Sequence, residues 1–163
     1  MIFADQHGAI EYFPSRVDEM RVGPDTVLIR MFHQFGASSA ALMKDLRDVE
    51  FDRILELEEL VSYHILDVGN SNPLGYSFRY YGRNAHIMNK RSFQSQQVGD
   101  ASWEALREFG VHAFAKNKEA SQREFSRVKY TYSESYLSYR RLSLPFSDNG
   151  REVSHLLVAI LRD

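Results

Sequence analysis

The sequence predicts an α+β fold: a five-stranded antiparallel sheet with helices on one face and an N-terminal helical extension. Three observations carry that expectation. Apolar residues recur every three or four positions in the first third of the chain. Around residue 70, two alternating segments flank a dense cluster of turn formers. Beyond residue 120 the chain reads as three strands separated by turns.

Taken in order, Pro24 suits the first turn of a helix, followed by Val27, Leu28, Met31, Phe32 and Phe35 on one face. A second helical stretch carries Leu42, Leu46, Val49 and Ile54, with Asp45, Arg47, Asp48 and Glu50 on its wet side. Residues 1–45 are thus assigned to the helical extension and 46–163 to the main domain. From Val61 the period changes to two. Tyr63, Ile65 and Asp67 alternate with His64, Leu66 and Val68, and Gly69-Asn70-Ser71-Asn72-Pro73 then turns the chain. Tyr76, Phe78 and Tyr80 alternate with Ser77, Arg79 and Tyr81, so the pair forms an antiparallel hairpin. Residues 83–100 are irregular. Asp100 or Ser102 caps a helix with Trp103, Leu106, Phe109, Ala113 and Phe114 facing the core. Strands are predicted over residues 121–132, 135–146 and 153–161, the last two separated by Ser147-Asp148-Asn149-Gly150.

Composition narrows the function. At 163 residues, 44% apolar and 26% charged, the chain suits one domain with a real core. Nine tyrosines and eleven phenylalanines favour a sheet over a helical bundle. A net charge of −2 argues against nucleic acid as a partner. The absence of cysteine excludes disulfides, thiolate catalysis, thiolate-bound zinc and a cysteine-linked chromophore. The first residues have no basic start or apolar run of the signal-peptide kind, and the longest apolar run, Leu156–Leu161, is far short of a membrane span. A cytoplasmic location with no membrane partner is expected.

Three segments carry a family resemblance. They are Asp52–Val68 (DRILELEELVSYHILDV), Gly75–Met88 (GYSFRYYGRNAHIM) and Leu142–Leu161 (LSLPFSDNGREVSHLLVAIL). Over roughly residues 46–163 the chain resembles a PAS domain, nearest to a stand-alone bacterial subgroup common in alphaproteobacteria. The resemblance implies a PAS-like sheet and a sensory, ligand-binding or protein-interaction module. It implies a regulatory partner protein, because no kinase, cyclase or helix-turn-helix signature follows the last strand. It also implies a homodimer formed through the leading helix at Pro24–Phe35. PAS domains take ligands of several classes, so no cofactor is assigned.

Candidate ligand-binding residues follow from chemistry and position. His112 lies in the helix expected to face the cavity; in haem-binding PAS proteins an axial histidine comes from a comparable helix. His86 lies in the irregular segment over the sheet. A lone histidine in either setting is more often a satisfied, partly buried residue than a ligand. His7, His33, His64 and His155 show no metal-ligand spacing. Of the strand arginines Arg79, Arg127, Arg140 and Arg141, Arg140 shares a face with Leu142 and Leu144 and is the candidate to hold a carboxylate or phosphate. Its competing reading is a surface arginine packing its stem on a ring. Tyr80 completes the set. With His112 or Asp67 it also imitates the acid–base pair of a cone-shaped α+β enzyme of the ketosteroid isomerase type, the alternative function.

Overall fold

The computed structural model describes residues 1–36, 44–45, 61–82 and 92–163. Of the expected second helix at residues 42–54 only Lys44–Asp45 is described, and it is a strand, while His86 lies outside the described residues.

The chain begins with a hairpin, β1 (Ile2–Asp5) and β2 (Gly8–Ser15). This corrects the helical extension: among its described residues α-helix appears only in α1 (Thr26–Met31), which continues as a wider turn over Phe32–Gly36. A Cβ on Gly8 would sit 1.9 Å from the Thr131 carbonyl oxygen, so only glycine lets the hairpin pair with the strand beside it. The two-residue β3 (Lys44–Asp45) follows, then the predicted hairpin as β4 (Ser62–Asp67) and β5 (Ser77–Tyr81). The crossing helix α2 (Glu104–Ala120) stops where Ser121 turns left-handed at φ +48°. The last strands are β6 (Glu124–Tyr132), β7 (Ser135–Ser147) and β8 (His155–Arg162).

Seven strands run antiparallel in the order β1-β2-β6-β7-β8-β4-β5, and β3 pairs in parallel with the end of β7. The five predicted strands lie side by side, with the N-terminal hairpin added at the β6 edge. The sheet is therefore wider than the five strands expected.

Helices cover both faces, not one. On one face α2 packs Ala105, Phe109, Ala113 and Phe114 against Ile10, Tyr12, Val128, Tyr130 and Val158. On the other, α1 packs Leu28, Met31 and Phe35 against Phe125, Leu142, Leu144, Leu157 and Ala159. Successive strand residues point to opposite faces, so a sheet covered on both sides needs apolar residues at consecutive positions. Leu156–Ile160 in β8 satisfies this over its whole length.

Candidate functional site

A cavity of about 80 Å³ lies between α2 and the sheet. Its position follows from the two elements that enclose it. Gly110 lets α2 approach the turn at Val98, since a Cβ there would meet Val98 Cγ1 at 3.1 Å. Phe109 and Phe114 from the helix and Val158 and Ile160 from the sheet line the gap. The start of α2 is pinned to β1: Asp5 accepts from Trp103 Nε1 at 3.0 Å and from the Ala105 amide at 3.4 Å. Burial raises the Asp5 pKa, but hydrogen bonds from His7, Trp103 and Ala105 outweigh it and hold the carboxyl below its ordinary value. A carboxylate at a helix N-terminus also complements the helix dipole.

The cavity's polar groups come from the sheet. Arg141 is 1% exposed. Its guanidinium lies 5.5, 5.6 and 5.7 Å from the ring centres of Tyr12, Phe109 and Phe114. Nη2 donates to Asn117 Oδ1 at 3.1 Å and Glu124 Oε1 at 3.3 Å. Glu124 also accepts from Lys116 Nζ at 3.0 Å and from the Tyr12 hydroxyl. Among the described residues, Arg141 Nε and Nη1 have no acceptor.

Tyr130 and Tyr139 stack at 5.4 Å, and their hydroxyl oxygens are 2.6 Å apart. One hydroxyl spends its proton on the other, so the pair keeps one O–H to offer. Burial pushes Tyr139 up to about 12 and Tyr130 well above its ordinary value. His64 stacks on Tyr81 at 4.2 Å, and its Nδ1 has no partner among the described residues. Burial first, and Arg141 second, pull its pKa down to about 3. These groups are therefore a neutral imidazole, neutral phenols and one guanidinium.

Three of the four residues expected to form the site, Arg140, Tyr80 and His112, do not line this cavity. Arg140 is on the α1 face, held at 3.0 Å by Asp25 Oδ1 and at 2.7 Å by Asp163 Oδ1, and it also donates to the Pro24 carbonyl. Tyr80 is on that same face, stacked on Tyr63 at 4.7 Å. His112 flanks the cavity instead of lining it, with its ring against Phe3 at 5.6 Å and Tyr12 at 6.1 Å. His86 lies outside the described residues. The sheet separates Tyr80 from His112, and Asp67 is tied to Arg79 at 2.8 Å. The acid–base set of the alternative function is not assembled.

Two of these differences are single-residue displacements. Arg141, next to the expected Arg140, is the arginine at the cavity. Tyr81, next to the expected Tyr80, lines it, because a bulge in the β4–β5 pairing puts Tyr80 opposite Ile65 and Phe78 opposite Leu66. The bulge leaves Phe78 and Tyr81 on one face, where unbroken alternation predicts Phe78 and Tyr80.

Among the described residues no group of three or more histidine, cysteine, aspartate or glutamate side chains could hold a metal ion. No helix of the described residues is long and apolar enough to cross a membrane. At about 80 Å³ the cavity is well under the roughly 300 Å³ at which drug-sized ligand pockets begin, too small for a haem or flavin ring system. Comparison with protein-family models, curated proteins and solved structures returned no significant match.

Proposed function

We propose that this chain is a PAS-type sensory module that binds a small molecule between α2 and the sheet and acts through a regulatory partner protein. The observation that carries the reading is the cavity itself, closed by a crossing helix over a five-strand unit in the order β5-β4-β8-β7-β6. Its first and last strands, β4 and β8, pair at the centre. A chain of two strands, a helical crossing and three strands forms one antiparallel sheet in just this way, which agrees with the resemblance in sequence. The chemistry of the lining supports binding over turnover. A proton-transfer catalyst works best with a pKa near the operating pH. His64 lies far below neutrality and the tyrosine pair far above it.

Native mass spectrometry and an absorption spectrum of the purified chain, with a thermal-shift panel of small acids, amides and alcohols, test the reading. A carried ligand, or a saturable rise in Tm with a panel member, is the expected result. A bare mass of 18.9 kDa with no response to any of them overturns it, leaving a ligand-free adaptor.

A further inference from the structure

We propose that the cavity takes a small monocarboxylate, its carboxylate held by Arg141 and its short chain lying among Phe109, Phe114 and Val158. This rests on the ligand-binding reading above and names the ligand's chemistry.

The argument starts from the guanidinium. An arginine presents five N–H bonds and no acceptor. In Arg141 the Nη2 hydrogens are taken by Asn117 and Glu124, while the Nε and Nη1 hydrogens meet no acceptor among the described residues. Buried donors of a charged group are almost always satisfied, so these await an acceptor. The side chain is also held in place before any ligand arrives, clamped by the three rings already described. A preorganised donor loses little freedom on binding.

Charge points the same way. Among the described residues the one carboxylate paired with Arg141, Glu124, is shared with Lys116, so the guanidinium has no described counter-ion to itself. One additional negative charge balances it. A second would be buried with no cation to meet it, because the rest of the lining is rings and aliphatic side chains. Monocarboxylates are therefore selected over dicarboxylates and dianionic phosphate.

Size sets the chain length. An apolar cavity of 150 Å³ takes the six heavy atoms of benzene, so one of about 80 Å³ takes roughly three or four, the size of acetate, with propionate as the upper limit. The Tyr130–Tyr139 pair and His64 line the same cavity and offer further hydrogen bonds.

The test uses the full chain with acetate and propionate as probes. Propionamide, malonate, inorganic phosphate and sodium chloride at matched ionic strength are the controls. A saturable rise in Tm, confirmed by calorimetry, is expected for acetate or propionate alone. Arg141→Met is expected to weaken the apparent Kd by on the order of tenfold or more. Ala101→Val leaves every polar group in place and adds bulk to the cavity wall; it is expected to abolish the response. An equal response to propionamide, or an apparent Kd left unchanged by Arg141→Met, overturns the proposal. If Arg141→Met does not fold, Ala101→Val decides: a response that persists there puts binding elsewhere. A carried ligand or a response to amides or alcohols, with none to acids, removes the carboxylate and leaves the ligand-binding module standing. No response and no carried ligand removes both.

Discussion

Arg140 and Arg141 are consecutive residues of β7 that end on opposite faces of one sheet, and the fold treats them differently. On the α1 face Arg140 meets Asp25, Asp163 and two backbone carbonyls. Around it the core is dense, with Leu28, Leu142 and Leu144 at 0–1% exposure. On the α2 face Arg141 sits among rings, shares its acid with a lysine, and beside a cavity has donors with no acceptor among the described residues. The first face is built for stability. The second carries buried polar groups whose partners are incomplete, which is what a binding site looks like before its ligand arrives.

The comparison breaks if the two arginines prove alike in stability. Asp25 is fully buried, and apart from Arg140 its side chain accepts from the Arg21 amide. Arg140→Met strands that carboxylate and is expected to cost about 3–5 kcal/mol, the usual penalty for breaking a buried pair. Arg141→Met leaves Glu124 with Lys116 and Tyr12 and also removes orphaned donors, so about 1 kcal/mol or less is expected. Urea unfolding with an unchanged m-value measures both. The reverse order, or equal losses, would show that Arg141 is the structural arginine.

The acid limb of the stability curve sharpens the same contrast. His64 has a pKa of about 3 in the folded chain against 6.5 for the free side chain. Between those values the unfolded chain binds a proton that the folded one refuses. The stability linked to His64 is therefore complete above pH 6.5 and is lost as pH falls toward 3, by about 1.4 kcal/mol per pH unit at the steepest. His155, also lowered chiefly by burial, adds a slope of the same sign, and so do Asp5 and Asp67 nearer pH 3.8. His64→Phe removes only the first contribution. Its denaturant midpoint is expected to change less between pH 6 and 4 than that of the parent chain. Parallel curves would mean that His64 is protonated normally in the folded state.

The same parity explains how far the sequence could be read. The β4–β5 hairpin, α2 and the three closing strands fall where alternation and turn residues put them, because local pattern fixes them. The β1–β2 hairpin was readable too, from the Asp5-Gln6-His7-Gly8 turn before alternating Ile10, Glu11 and Tyr12. Which side of a strand faces a cavity is not a local property. Arg140 shares its face with Leu142 and Leu144, which marks it as inward. Once α1 covers that face and α2 the other, both arginines are inward, and only the helices decide which meets the cavity. Tyr80 and Tyr81 differ for another reason: a bulge shifts the register by one residue, and nothing in Ser77–Tyr81 announces it. The adjacent pair of arginines was the available signal, since two neighbours in one strand cannot share a face.

The hydroxyls of β7 provide the finest form of the comparison. Ser143 and Ser147 lie on the α2 side of the strand and are both 0% exposed. Ser147 has partners: its hydroxyl donates to Asn149 Oδ1 at 3.0 Å and accepts from the Asn149 amide at 3.3 Å. It fastens the turn before β8. The Ser143 hydroxyl has no partner among the described residues. Losing an unpaired buried hydroxyl relieves a desolvation cost, whereas losing a paired one strands its partners. Ser143→Ala is expected to raise stability by about 0.5–1 kcal/mol and Ser147→Ala to lower it by a similar amount. Opposite shifts in Tm measured side by side would confirm that polar groups on this face are left unsatisfied by the fold itself. A loss in Ser143→Ala equal to that in Ser147→Ala would mean that an internal water already serves Ser143. Arg141 would then face the same question, since a water-filled cavity can satisfy a guanidinium as a carboxylate does.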